Sequence, residues 1–325
     1  MDESNKLNNI TKPKLLVTGG SGLVGNAIKM FQEKYIQDYE FIFVSSKDYN
    51  LYNFTDTQQM FKDYKPEYVI HLAANVGGLY KNMNNKVEML ETNLMINFNV
   101  VKCCHDYNVK KLIACLSTCI FPDIVQYPID ETMLHNGQPH SSNDAYAYAK
   151  RMLEIHCRAY RENYGDNFIC IIPTNIYGPH DNFNLENGHV LPSLIHKCYL
   201  AKKHNEDFIV RGTGSPMRQF ILSTDLAELI MLVLEKFNGD NIILSVPENQ
   251  EISIKDVATN IAKCFNYEDR LRFDTNYSDG QYKKTVSTQK LTDFCPNYKF
   301  TDINNGILDT VKWFIDNVDD NKVKV

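Results

Sequence analysis

The chain is 325 residues long, 43% hydrophobic and 23% charged, which is the composition of a soluble globular protein of one large or two medium domains. Its net charge of −6 offers no basic footprint for nucleic acid or an anionic membrane surface, so an anionic ligand must be held by local positive groups. No run reaches the ~18 apolar residues of a membrane span, the polar N-terminus lacks the apolar core of a signal peptide, and nine scattered cysteines without CxxC spacing read as reduced thiols of a cytoplasmic chain with no metal site.

Residues 1–12 are Asn/Lys-rich and read as a disordered lead-in. Residues 14–18 form an apolar run that meets three glycines spaced three apart, Gly19, Gly22 and Gly25, before an amphipathic segment. This predicts a strand, a tight turn and a helix start. Gly19 allows the turn, Gly22 leaves room for a phosphate where a Cβ would collide, and Gly25 lets the helix pack closely on the strand. The backbone from Gly19 through Gly20, Ser21, Gly22, Leu23 and Val24 to Gly25 then offers N–H groups and a partial positive charge to a pyrophosphate. Such a triplet also occurs in plain surface turns, but here a strand precedes it and a helix follows.

Strand and helix signals then alternate: strands at 41–45, 68–72, 111–116 and 168–172, helices at 55–64, 87–107 and 145–164. The alternation predicts an α/β fold, a Rossmann-type doubly wound parallel sheet with ligands outside the carboxyl ends of the strands. After Pro173 the pattern changes. Residues 178–218 are loop-rich with a helix at 191–202 and a strand at 208–211. Residues 219–222 and a helix at 225–237 read as a return to the sheet, and helices follow at 252–265 and 307–318. We expect a dinucleotide-binding domain of residues 12–177 and 219–248, and a second, smaller α/β substrate domain of 178–218 and 249–318.

An NAD enzyme ordinarily ends its second strand with an acid that bonds the ribose 2′-hydroxyl. Here that strand runs into Ser45-Ser46-Lys47, and Asp48 comes only after the lysine. Ser46 and Lys47 suit a 2′-phosphate, which favours NADP(H); the plainer reading of Lys47 is a solvated surface cation.

Tyr146 and Lys150 lie four apart in the first turns of a predicted helix and therefore share a face, whereas Tyr148 faces elsewhere. A phenol titrates near 10 and is a poor base at neutral pH; a lysine cation within ~4–6 Å lowers that value. The pair suits proton transfer to or from a substrate oxygen during hydride transfer. The fourth strand ends in Leu116-Ser117-Thr118-Cys119. In an extended chain Ser117 and Cys119 share a face and point into one cleft. Ser117 can hydrogen-bond a substrate carbonyl. Cys119, beside cationic or polar groups, can titrate low enough to act as a base, while Cys115 and the adjacent Cys103 and Cys104 read as inert buried thiols.

These residues carry a resemblance. The chain resembles the extended short-chain dehydrogenase/reductases, and among them the GDP-sugar epimerase/reductases that form GDP-L-fucose. The similarity runs from about Lys14 to Trp313 and includes His71-Leu72-Ala73-Ala74, Val76-Gly77-Gly78, Ser117-Thr118-Cys119, Tyr148-Ala149-Lys150, Gly188-His189-Val190-Leu191-Pro192 and Ser278-Asp279-Gly280-Gln281. It implies NADPH-dependent 3,5-epimerisation and 4-keto reduction of GDP-4-keto-6-deoxy-D-mannose to GDP-L-fucose. Ser117, Tyr146 and Lys150 would carry the reduction, Cys119 would be the base and His189 the acid of epimerisation. Leu72, Ala73 and Ala74 would meet the middle of the cofactor, and Pro173, Thr174, Asn175, Ile176 and His189 its nicotinamide side. Asn182, Lys197, Arg218 and Asp279 would bind the GDP-sugar, together with Arg211, which stands where relatives often carry Trp. A homodimer joined through the 87–107 and 145–164 helices is implied as well.

Two other readings stand beside this one. Another nucleotide-sugar epimerase or reductase of the superfamily would share most of these motifs. A hydride-cycling epimerase would hold NAD tightly and does not need Cys119 with His189, and a dehydratase wants acid/base carboxylates after Ser117-Thr118, where none stands. A non-catalytic cofactor-sensing module would not need Tyr146 with Lys150, and both are present.

Overall fold

The computed structural model describes residues 12–277, 279, 282–320 and 322–325; the expected lead-in at 1–11 and Ser278, Gly280 and Gln281 of the Asp279 motif lie outside the described residues. In chain order the first half comprises β1 (Lys14–Thr18), α1 (Leu23–Tyr35), β2 (Glu40–Val44), α2 (Phe54–Tyr64), β3 (Tyr68–His71), α3 (Leu79–Asn84), α4 (Lys86–Asp106), β4 (Lys111–Cys115), α5 (Asp144–Tyr164) and β5 (Phe168–Pro173). There follow β6 (Asn175–Tyr177), α6 (Val190–His204), β7 (Phe208–Arg211), β8 (Met217–Arg218), β9 (Phe220–Leu222), α7 (Ser223–Lys236), β10 (Asn241–Leu244), β11 (Ile252–Ser253), α8 (Ile254–Cys264), β12 (Leu271–Asp274), α9 (Gln289–Phe294) and α10 (Ile303–Val318). Local chemistry sets the ends. Asn53 caps α2 by accepting from the Asp56 N–H at 3.2 Å, and Gly165, with φ of 77°, closes α5 in the left-handed conformation.

Six strands form one parallel sheet in the order β2-β1-β3-β4-β5-β10. The chain steps from β1 out to β2 and then crosses to β3 on the other side of β1. The carboxyl ends of β1 and β3 therefore flank a crevice, the place where such sheets bind ligands. Helices cover both faces, and all six residues of β5 are buried. On one face α2, α4 and α5 bury Met60, Phe61, Val100, Val101 and Leu153 against the sheet. On the other, α1 and α7 bury Ile28, Leu226, Leu229 and Ile230. Each such side chain contributes roughly 1.5–3 kcal/mol of transfer free energy.

A third core lies away from the sheet, where α6, α8 and α10 enclose Leu194, Ile195, Phe208, Val257, Ile261, Val311 and Phe314. Two-stranded sheets edge it: β7 pairs in parallel with β12, and β8 antiparallel with β11.

The structure corrects the expected return to the sheet. Residues 220–222 pair with β6 in a separate two-stranded sheet, and it is β10 that joins β5 in the main one. The start of the predicted 252–265 helix is likewise a short strand, since Ile252 and Ser253 pair with β8 before α8 begins. Neither pairing has a local signal, because each partner lies far away in sequence. Gln219 ties the segments together. Its buried amide donates to the carbonyls of Val246 (2.7 Å) and Val286 (3.3 Å) and accepts the Val286 N–H at 2.8 Å. Leu291, with Phe294, Tyr298 and Phe300, packs on the α1/α7 side of the sheet.

Candidate active site

The turn after β1 is shaped by what a side chain would strike. Gly19 has φ of 70°, and a Cβ there would lie 2.8 Å from the Ala73 nitrogen. A Cβ on Gly25 would lie 2.6 Å from the Gly19 carbonyl oxygen, so the glycine brings α1 down onto the turn. A Cβ on Gly22 would meet the Gly19 carbonyl at 3.2 Å and, beyond its neighbours in the chain, no other described residue within 4 Å, which leaves the other side open. Gly22 is also the N-cap of α1, with no side-chain cap and no acid in the first turn. The exposed N–H groups and positive helix end thus form a cradle for phosphate. Ser21 is exposed at its rim, and Leu72, Ala73 and Ala74 are half-buried beyond β3. The Ala73 N–H donates to Thr18 Oγ1 at 3.3 Å, and the same hydroxyl meets His71 Nδ1 at 2.8 Å. Burial holds His71 neutral, its pKa pushed down to about 3.

At the end of β2, Ser46 and Lys47 are exposed. Asp48 is turned back, one carboxylate oxygen accepting from both the N–H and the hydroxyl of Ser45 at 2.8 Å. No free acid stands at that strand tip. An exposed cation beside hydroxyls fits a 2′-phosphate.

Beyond β4 the geometry differs from expectation. The strand ends at Cys115, and residues 118–120 make a single 3-10 turn with Ser117 as its N-cap. Ser117 and Cys119 therefore meet through a turn rather than along one face of an extended strand. The Cys119 N–H donates to Ser117 Oγ at 3.5 Å. Turn-forming residues at a strand end compete with extension because their hydroxyls bond the following backbone.

Helix α5 presents Tyr146 and Lys150 to the same place. Both are buried, and the Lys150 ammonium lies 5.9 Å from the Tyr146 ring centre. It also donates to the Cys115 carbonyl at 2.7 Å. Tyr148 is exposed and stacks with Arg151 instead, as the helical spacing requires. The expected lowering of the Tyr146 phenol is not found. Burial pushes its pKa well above 10, with Cys119 and Cys115 adding to the rise. Burial also pushes the Cys119 thiol up, and it outweighs the lowering by Lys284, Ser117 and Lys150. Both shifts favour the protonated phenol and the protonated thiol.

Lys284 is a residue that local pattern could not reveal. It lies in a run of two lysines near the far end of the chain, yet it is the foremost cation acting on Cys119. The segment around it is fixed by two bonds between Ile129 and its neighbours, Ile129 N–H to the Thr285 carbonyl (2.9 Å) and Ser287 N–H to the Ile129 carbonyl (2.7 Å). Burial pushes the Lys284 amine down while Cys119 and Asp123 pull it up.

At the end of β5, Pro173 and Thr174 are buried, and Asn175 and Ile176 enter β6. The Asn175 amide donates to the Gln219 carbonyl at 2.9 Å. His189 is the N-cap of α6, with φ of −71° and ψ of 166°. Solvent reaches its ring, but the protein around it is dense enough that desolvation lowers its pKa. Asn182 lies in the loop before it, its Oδ1 accepting the Asn184 N–H at 3.1 Å.

The remaining candidates line the third core. Lys197 is half-buried on α6, its pKa lowered by burial and by Arg211. The Arg211 guanidinium lies 4.6 Å from the Tyr277 ring centre, a cation–π pair on the surface. Asp279 grips the next turn: it accepts the Thr213 N–H at 2.9 Å and the Thr213 hydroxyl at 2.6 Å. Arg218 donates to the Met217 carbonyl at 2.6 Å, and burial lowers its pKa. Among the described residues, no cluster of His, Cys, Asp and Glu could hold a metal ion.

A parallel sheet with a glycine-lined phosphate cradle, and beside it Ser117, Tyr146 and Lys150, defines a dinucleotide-dependent enzyme acting on a carbonyl or hydroxyl. Residues 15–245 match the NAD dependent epimerase/dehydratase family, and the chain belongs to that family. It is 51% identical over 313 residues to GDP-L-fucose synthase of Dictyostelium discoideum, covering 94% of this chain and 97% of that protein. It is 49% identical over 315 residues to a probable GDP-L-fucose synthase of Drosophila melanogaster, covering 94% and 98%. A solved structure of a GDP-L-fucose synthetase from Naegleria fowleri bound to NADP superposes with a TM-score of 0.92 at 46% identity, covering 96% of this chain and 95% of that one.

Proposed function

We propose that the protein is a bifunctional NADPH-dependent enzyme that converts GDP-4-keto-6-deoxy-D-mannose to GDP-L-fucose by 3,5-epimerisation and 4-keto reduction. The observation that carries this reading is the near-full-length identity of about half to GDP-L-fucose synthases, with Ser117, Cys119, Tyr146, Lys150 and His189 all present. The glycine cradle, the turned-back Asp48 and the exposed Lys47 suit NADP, the cofactor of the Naegleria fowleri structure. Its nicotinamide supplies the hydride when bound.

The chain's own residues account for the rest. A 4-ketone acidifies the protons on carbons 3 and 5, because the enolate spreads charge onto the ketone oxygen. Ser117 and Tyr146 donate hydrogen bonds to that oxygen. Cys119 takes a proton from carbon and His189 returns one from the opposite face, which inverts each centre. Lys284, Lys150 and the Ser117 hydroxyl favour the thiolate against the burial that opposes it. Tyr146 then gives its proton to the ketone oxygen during reduction. Its raised pKa keeps the phenol protonated for that step, and Lys150 stabilises the phenolate left behind. Lys197 and Arg218 offset the diphosphate charge, while Arg211 and Asp279 sit where the nucleoside is held.

Residues 12–177 and 219–248 would form the cofactor-binding part and 178–218 and 249–318 the substrate-binding part. A homodimer joined through α4 and α5 and a cytoplasmic location belong to the same reading. All nine cysteines are free, which accords with a reducing compartment. The test is incubation with GDP-4-keto-6-deoxy-D-mannose and NADPH with identification of the product sugar. GDP-L-fucose supports the reading. Reduction without inversion at carbons 3 and 5 points to another nucleotide-sugar reductase.

A further inference from the structure

The Val76-Gly77-Gly78 segment has no part in the chemistry above, yet it is the place where the loop after β3 touches the loop that ends in His189. Its base is held firmly. Asn93, fully buried on α4, accepts the Asn75 N–H at 2.9 Å and donates back to the Asn75 carbonyl at 2.9 Å. The Asn75 side chain donates to Glu88 at 3.0 Å and accepts from the Lys81 ammonium at 2.7 Å. At the tip, the Gly78 N–H donates to the Asn187 carbonyl at 2.9 Å. A Cβ on Gly78 would lie 2.9 Å from the Gly188 carbonyl oxygen and 3.2 Å from the Asn187 carbonyl carbon. The next residue is His189.

Gly78 has φ of −66° and ψ of 177°, a conformation open to any residue. The contact, not the backbone, excludes a side chain. The far side is equally tight, since a Cβ on Gly188 would lie 2.5 Å from the carbonyl oxygens of both Asn182 and Asn184 and 2.7 Å from Ser193 Oγ. The peptide before His189 is thus held between the β3–α3 loop and its own turn.

We infer that Gly78 is a positioning residue for His189: by seating the Asn187-Gly188 peptide against the loop after β3, it sets the placement of the group that returns the proton to carbon. This rests on the proposed role of His189 in epimerisation. Tyr146 and Lys150 are held from α5 and β4, so the proton donor of the reduction step does not depend on this contact. The inverted sugar needs only that second step, and oxidation of GDP-L-fucose by NADP+ reads it alone.

The experiment compares wild type with Gly78→Ala and Asn93→Ala, the first pushing on the clamp and the second loosening its base. Misplacement of a catalytic group by a fraction of an ångström costs on the order of 10-fold or more. Both variants should therefore lose at least about tenfold in deuterium incorporation at carbons 3 and 5, and clearly less in oxidation of GDP-L-fucose. The His189 imidazole pKa, followed by NMR without substrate, should rise in both toward the ordinary value near 6.5 as the clamp opens. That readout does not depend on which sugar is turned over. An unshifted His189 titration in folded Gly78→Ala overturns the inference, as does equal loss of exchange and of GDP-L-fucose oxidation. If wild type neither makes nor oxidises GDP-L-fucose while the His189 titration shifts as expected, the substrate reading fails and the positioning contact stands.

Discussion

The Lys150 ammonium is held to the Cys115 carbonyl at 2.7 Å and by that bond is kept beside the Tyr146 ring. One end of β4 thus fixes the cation of α5. Replacing Lys150 by Met removes the charge and the bond while keeping most of the volume. NADPH oxidation with the keto-sugar should fall by roughly 10²–10⁴, as general-acid assistance is lost. Tyr146→Phe should fall by a similar factor, and the double variant should be little worse than either alone. Additive losses in stopped-flow absorbance at saturating cofactor would mean the two residues act separately.

Exposed Lys47 stands beside Ser46, and Asp48 is spent on Ser45. Lys47→Ala should raise the Michaelis constant for NADPH about tenfold, the low end for one hydrogen bond to a charged group, with little change for NADH. Initial rates over a range of each cofactor check this. An equal rise for both refutes a 2′-phosphate contact.

Burial raises the Cys119 thiol, and Lys284 is the chief group opposing it. Lys284→Met should raise the thiol pKa further. The pH profile of deuterium exchange should move to higher pH, and alkylation of Cys119 by iodoacetamide at pH 7 should slow. Cys119→Ala should abolish exchange, whereas Tyr146→Phe should retain a measurable part of it. Exchange at the wild-type rate in Cys119→Ala would make Cys119 a packing residue.

Asp181 is buried with one carboxylate oxygen lacking a hydrogen-bond partner among the described residues, and burial raises its pKa from 3.8 to about 7. A raised folded pKa means the native state holds the proton more tightly than the unfolded chain. The stabilisation is complete below about pH 4 and lost as pH rises through about 7. Asp181→Asn keeps the acceptor for the Asn182 N–H and cannot ionise. It should raise Tm by several degrees at pH 8, by a smaller amount at pH 5 and not at all below about pH 4, by differential scanning calorimetry. An equal gain at all three values excludes ionisation of Asp181 as the cause.

Helices α4 and α5 lie side by side and expose Met95, Phe98 and Met152, with Phe98 stacked on His156 at 5.1 Å. An apolar stripe across two adjacent helices suits a second copy of the chain. Light scattering should give about twice the 37.5 kDa of one chain, and Phe98→Glu should shift the species to monomer. A wild-type mass near 37.5 kDa refutes the dimer.

How far the sequence reaches depends on how local the signal is. β1 with its glycine turn, and α5 with Tyr146 and Lys150, are legible because a glycine or a helical period acts within a few residues. The pairing of β6 with β9 and the place of β10 are not legible, since those strands are three or four residues long and gain meaning only from distant partners. The site divides in the same way. Cys119 is readable as a candidate from its place at a strand end. Its protonation state is not, because burial by the surrounding core and a cation from the far end of the chain decide it together. The same holds for Gly78, whose need for glycine comes from a peptide more than a hundred residues later.

The position of β10 has a consequence for synthesis. β5 is apolar on both faces, and its outer edge is covered by residues 241–244. While the chain emerges from the ribosome, a nearly complete sheet therefore carries a bare, sticky strand until α7 and β10 have followed it out. Such an edge recruits other strands. Chains truncated between residues 175 and 240 should for that reason bind chaperones and aggregate, and adding a peptide of residues 219–248 in trans should reduce the binding at that edge.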